Sequence, residues 1–276
     1  MPWHARLSLD YRVERERCVA RFEHDGPLRI LQALYPEGDA TCHNVLVHPP
    51  GGLVGGDTLE IAIHAHAGSH GLVTTPGASR FYRSQGEPAV QRTHIRVDEG
   101  ARLEWLPLEA ICYSGCLAEN SVVLDLAPGA EVIGWDVAAL GLPESQLPFE
   151  AGSLLQHLEL RGRWLDRGRI AAHDKRLMDG PLGLARNRCV ATLFLATGSD
   201  LAKARRDMAL DLAREAIAAH PLRESAGATS PNPQVVAVRV LAPQVEPALG
   251  LLKAIRDAWR PALWCLPATR PRTWAL

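Results

Sequence analysis

Residues 93–106 read Thr93-His94-Ile95-Arg96-Val97-Asp98-Glu99-Gly100-Ala101-Arg102-Leu103-Glu104-Trp105-Leu106: an alternating apolar stretch, an Asp-Glu-Gly turn, then a second apolar stretch. The same plan precedes it in residues 58–73, where Leu59, Ile61 and Ile63 alternate with polar or small residues, Gly68 turns the chain, and Leu72 and Val73 resume. It follows again in residues 122–137, as Val-Val-Leu-Asp-Leu, Ala-Pro-Gly-Ala, and Glu-Val-Ile-Gly-Trp-Asp-Val. Gly68, Gly100 and Gly129 stand about 30 residues apart, and residues 154–164, with Gly162, offer a fourth copy. Period-two alternation marks half-buried strands, and the glycines supply the backbone freedom of tight turns. One such hairpin cannot bury its apolar face alone, so the units must stack. The expected fold is mainly β: a β-superhelical stack of hairpin units. A plain β-sandwich whose hairpins resemble one another by chance is the alternative.

Towards the C-terminus the pattern changes. Residues 199–219 are rich in helix formers, with Leu201, Met208, Leu212 and Ile217 near a helical period, Gly198-Ser199-Asp200 as a candidate cap and Pro221 as a stop. A Gly/Ser/Pro/Asn loop over 225–233, a strand over 235–241 and a helix over 244–259 ended by Pro261 follow. The reading is a β body over 1–198 and a helix–strand–helix segment over 199–276, giving two C-terminal α-helices. That segment is too short for its own core, so 1–276 is expected to be a single domain.

The chain has 276 residues, 47% hydrophobic and 22% charged, with a formal net charge of −1. No global field draws it to nucleic acid or an anionic membrane. No apolar run approaches the roughly 20 residues of a membrane span. The start, Met1-Pro2-Trp3-His4-Ala5-Arg6, lacks the basic and then apolar regions of a secretory signal, so a cytoplasmic location is expected. The six scattered cysteines are then reduced thiols. Cys112 and Cys116 lack the second pair that would complete a zinc site and read as packing residues.

Three segments carry candidate chemistry. In residues 48–59, His-Pro-Pro-Gly-Gly-Leu-Val-Gly-Gly-Asp-Thr-Leu, the glycine pairs allow tight turns and present Asp57 and, beyond it, Glu60. A strand follows, so this is neither a phosphate loop nor a dinucleotide fingerprint; the plainer role for Asp57 is a turn carboxylate bonded to its own backbone. In residues 74–84, Thr-Thr-Pro-Gly-Ala-Ser-Arg-Phe-Tyr-Arg-Ser, Ser79 has no adjoining histidine and no Gly-x-Ser-x-Gly elbow, which argues against a nucleophile. In residues 103–110, Glu104 and Glu109 flank Pro107 and could form an acid–base pair, or one could be exposed and the other paired with arginine. His64 and His66 share a strand face and could offer two imidazoles to a metal, but a closed site needs three or four ligands, which favours solvent-facing histidines.

These segments, in this order, resemble the UreD (UreH) urease accessory family. The likeness begins at Tyr35-Pro36-Glu37-Gly38, runs through Pro-Pro-Gly-Gly-Leu-Val-Gly-Gly-Asp and Thr-Thr-Pro-Gly-Ala-Ser-Arg-Phe-Tyr-Arg, and extends to Pro271-Arg272-Thr273-Trp274. The resemblance implies a non-enzymatic β-superhelical scaffold that joins UreF and the GTPase UreG to the urease apoprotein. It also implies that nickel passes through the protein transiently, with no permanently bound cofactor. The residues it places along such a path are Cys42, Asp57, Glu60, Ser79 and Asp136, with Glu104 and Glu109 added. A conduit suits scattered oxygen donors, too few at any point to trap the ion. Competing expectations are a carboxylate enzyme built on Glu104, Glu109 and Asp57, and a pure interaction module.

Overall fold

A computed structural model describes residues 2–275. Each repeat unit crosses from one sheet to another. Thr58–Ala65 lies in a seven-stranded sheet and His70–Thr74 in an eleven-stranded one; Ala89–Val97 and Arg102–Leu106 divide likewise, as do Cys116–Leu126 and Glu131–Leu142. Successive units stack in parallel register: Ile61 beside Thr93, Thr93 beside Val122, and Val122 beside Leu158. This is the expected β-superhelix, a solenoid of about 4 turns. The glycines at the bends, Gly68, Gly100 and Gly129, have φ between 67° and 75°, a region that glycine enters without a Cβ penalty.

The local unit differs from the expected hairpin. Its two strands face each other through side chains across the core, and their hydrogen bonds run to the neighbouring units instead. The repeat pattern cannot distinguish these arrangements, because both demand two alternating strands and a turn. The fourth copy is a true hairpin: Gly152–Leu160 pairs antiparallel with Trp164–Ala171. It caps one end of the first sheet, and Arg17–Asp25, antiparallel to His4–Glu14, forms the other edge.

Inward positions of both sheets, including Leu9, Ile63, Ile95, Leu103, Trp105 and Val132, make the core between the sheets. A second core lies between the outer face of the larger sheet and the helices. Among the described residues there are three α-helices: the short α1 (Lys175–Asp179), unanticipated from the sequence, α2 (Lys203–Ala218) and α3 (Val245–Trp264). Ser199 does not cap α2; the N-cap is Ala202, without a side-chain bond. The 225–233 segment is a strand, Ala226–Asn232, on the sheet edge, where a register shift between Thr229 and Asn232 accommodates Pro231. Helix α3 runs through Pro261 to an αL cap at Cys265. Proline removes one backbone donor, but this last turn is anchored: Trp264 Nε1 donates to Glu131, and Arg205 Nη2 donates to Leu263 O at 2.9 Å.

Candidate functional site

A line of polar side chains runs through the apolar interior. Gln91, Asn120 and Gln156 occupy the same register on three consecutive parallel strands, all turned inward. Asp136 meets them from the opposite sheet. Asn120 Nδ2 donates to Asp136 Oδ1 at 2.7 Å, Gln156 Nε2 donates to Oδ2, and Gln91 Nε2 donates to Asn120 Oδ1 at 3.3 Å. Asp136 is 6% exposed, and burial raises its carboxyl to about 6 against the bonds from Gln156 and Asn120. A buried carboxylate with two amide donors and no cation is costly to ionise.

The line reaches the surface motifs. A cavity of about 200 Å³ is bounded by Gln91, Leu59, Ile61 and Trp105 from the core, by His48 and Gly51, and by the 75–80 turn with Ser79. The glycine-rich run and the Thr-Thr-Pro-Gly-Ala-Ser run therefore flank one opening, whose inner wall carries the first residue of the polar line. Asp57 lies 3% exposed at the end of the glycine-rich run: its Oδ1 accepts from Trp3 N at 2.8 Å and its Oδ2 from Val54 N at 2.9 Å. That is the backbone-bonded turn carboxylate, with the first strand tied to it as well.

The family profile described as "UreD urease accessory protein" matches residues 4–275. The chain belongs to that family. Proteins named "Urease accessory protein UreD" are similar to it from end to end. The Variovorax paradoxus (strain S110) protein is 66% identical over 275 residues, that of Albidiferax ferrireducens 64% over 276, and that of Polaromonas naphthalenivorans (strain CJ2) 63% over 276, each match covering 100% of both chains. Membership of the UreD accessory family points to a non-catalytic role in the urease system. Among the described residues no helix is long and apolar enough to cross a membrane.

The remaining UreD-family candidates are dispersed. Cys42 is wholly buried beside Tyr11, Tyr35 and Cys18, and burial pushes its thiol up to about 11. Glu60 faces outward, paired with Arg6 at 2.9 Å and His4 at 3.1 Å on the outer side of the first sheet. Glu109 is half-buried and lines a separate cavity of about 210 Å³ with Cys189 and Gln244. Its backbone carbonyl accepts from Ser79 N at 2.9 Å, so the second and third motifs are joined through main chain.

Glu104 faces α3. Arg256 Nε donates to its Oε2 at 2.8 Å, Arg260 Nε lies 3.2 Å from its Oε1, and His70 Nε2 lies 3.4 Å away. Arg260 also contacts Glu37 at 2.8 Å, and Glu37 meets His43 at 2.7 Å. Several of these are close ionic contacts without hydrogen-bond alignment. Burial raises Glu104, but Arg256, His70 and Arg260 outweigh it and hold the group at about 2. Glu104 and Glu109 therefore point to different surroundings, and Glu104 is the arginine-paired member of the two.

Sequence reasoning missed Gln91 and Asn120, although the signal was present. Leu59, Gln91 and Asn120 each stand nine residues before a turn glycine (68 − 59, 100 − 91 and 129 − 120). Aligning the repeats would have shown an inward position changing from leucine to amides. Arg256 and Arg260 were hidden because arginines on a helix ordinarily read as solvated.

Proposed function

We propose that this UreD-family protein is a scaffold-type metallochaperone of urease maturation, joining UreF and UreG to the urease apoprotein in the cytoplasm. Nickel passes through it transiently and no cofactor stays bound. The observation that carries this reading is the buried Asp136 with its amide ladder, whose outermost amide, Gln91, lines the cavity between the two glycine-bearing motifs. A cation passing there would neutralise a carboxylate that burial holds partly protonated, and it would meet single donors in sequence without a closed cage. Ser79 lines the mouth, Asp57 anchors the glycine-rich run beside it, and Asp136 lies at the inner end of the ladder. Cys42, Glu60, Glu104 and Glu109 lie off this line; their part, if nickel visits them, is at separate approaches.

The test is co-expression of urease with its accessory set, with and without this protein, reading urease activity and bound nickel. Deletion should abolish nickel loading. Asp136→Ala and the Asp57→Ala/Glu60→Ala pair should assemble the complex yet load poorly. Full activity in both variants would leave the scaffold and end the conduit; full activity after deletion would end both.

A further inference from the structure

The outer face of the first sheet carries a cluster that the urease reading does not use. His64 and His66 project from the Thr58–Ala65 strand and the residue after it. Asp10 is in register with His64 on the His4–Glu14 strand, and Asp98 follows the Ala89–Val97 strand on the other side. Hydrogen bonds run diagonally across this square: His64 Nε2 to Asp98 Oδ2 at 2.8 Å, and His66 Nε2 to Asp10 Oδ1 at 2.9 Å. The second nitrogens face the other carboxylates, with His64 Nδ1 3.9 Å from Asp10 and His66 Nδ1 3.7 Å from Asp98. The imidazoles overlie one another with centroids 3.7 Å apart.

Other histidines of this face, such as His94 with Asp125, each meet a carboxylate without a second imidazole alongside. Among the described residues, Asp10, His64 and His66 are the one group of three or more potential ligands, with one donor atom from each lying within 4.8 Å of the others. A tetrahedral ion with bonds of about 2.0–2.1 Å requires donors about 3.3–3.4 Å apart. With one donor atom from each, Asp10 Oδ1 lies 2.9 Å from His66 Nε2 and 3.9 Å from His64 Nδ1, and these two separations straddle that value. Three hydrogen-bonded strands fix the backbone, and the overlying imidazoles must turn about their side-chain torsions to aim one nitrogen each at a common ion. Arg12, 3.8 Å from Asp10, and Arg96, 3.2 Å from Asp98, compete for the carboxylates and weaken the site without blocking the imidazoles.

We propose that Asp10, His64 and His66, with Asp98 as the outer partner that orients His64, form a surface site for a single divalent first-row transition-metal ion. Two imidazoles select nickel, copper or zinc over calcium and magnesium, which prefer all-oxygen shells. The site rests on this geometry alone and does not depend on the urease reading.

Equilibrium dialysis of the purified protein against nickel chloride, and separately against zinc chloride, is the test. His64→Asn/His66→Asn should lose a single equivalent, while His94→Asn on the same face keeps it. Asp98→Asn should weaken that equivalent by about tenfold or more, as loss of even an outer partner does, and excess magnesium should not displace it. Unchanged stoichiometry in the double variant, or no binding by the unaltered protein, overturns the site. If the variant fails to fold, the paramagnetic resonance spectrum of one copper(II) bound to the unaltered protein decides. Hyperfine structure from two nitrogens supports the site, and its absence rejects it.

Discussion

Replacing Asp136 by asparagine should make the protein more stable at neutral pH while impairing nickel delivery. Burial raises this carboxyl from 3.8 to about 6. A raised acid pKa means that the folded state favours the protonated form. The group's stability contribution is therefore intact below about pH 3.8 and lost as pH rises through about 6. Above that point the ionised carboxylate costs about 3 kcal/mol, since each pKa unit corresponds to about 1.4 kcal/mol; at pH 5 about half of the cost is present. Asparagine removes this cost but offers one acceptor oxygen to the two amide donors of Asn120 and Gln156, so about 1 kcal/mol returns as a poorer bond. The net gain at pH 8 is about 2 kcal/mol, a rise in Tm of about 4–8 °C at the scale of larger domains. Thermal melts of both proteins at pH 5 and pH 8 provide the assay. The variant's advantage should grow by about 1 kcal/mol or more between the two. A variant equally destabilised at both values would refute the reasoning, because Asp136 would then be ionised and well solvated by its neighbours. Greater stability combined with poorer urease activation would mark Asp136 as a residue kept at a stability cost for function.

Glu104→Ala should destabilise by about 3–5 kcal/mol, because it strands Arg256 and Arg260 in the interior; denaturant unfolding or a collapse in soluble yield would register it, and a near-neutral change would show that the arginines find water. Asp57→Ala should cost about 1–3 kcal/mol through the bonds to Trp3 N and Val54 N, whereas Asp57→Asn, which keeps an acceptor, should recover part of that loss in a thermal melt. In native protein at pH 8, iodoacetamide should modify exposed Cys265 first, with Cys42 and Cys189 protected because burial holds their thiols at about 11 and about 12. Peptide mass spectrometry showing Cys42 alkylated as fast as Cys265 would contradict the buried placement.

The stacking was legible because turn glycines and alternating apolar residues recur at a fixed interval, and stacking repeated units buries the apolar face of each against the next. The partnering of strands within a unit was not, since hydrogen bonds between backbones leave no trace in side-chain type. Helix α3 outran its predicted stop because Trp264 and Leu263 are held from other elements, and such tertiary support overrides a proline near a helix end. The 225–233 segment looked like a loop for its Gly, Ser, Pro and Asn content, yet an edge position tolerates all four. At the site, the motif residues lining the opening were visible as motifs, while the inner ladder was disguised as outward-facing polar residues. Its inward aim depends on register, which one polar residue in an alternating strand does not reveal.

The parallel register of Gln91, Asn120 and Gln156 also sets a length scale. Neighbouring strands repeat at about 4.8 Å, so the interior amides form a staircase whose tread the backbone fixes, whatever the side chains do. Two metal–oxygen bonds of about 2.1 Å placed end to end span about 4.2 Å. A cation climbing the staircase, as proposed, could therefore begin to engage the next step before wholly releasing the last, with a small swing of one amide closing the difference. Lengthening such a route is possible only in whole treads, by adding a complete coil; a single residue inserted into one of these strands would instead turn its amide out of the interior.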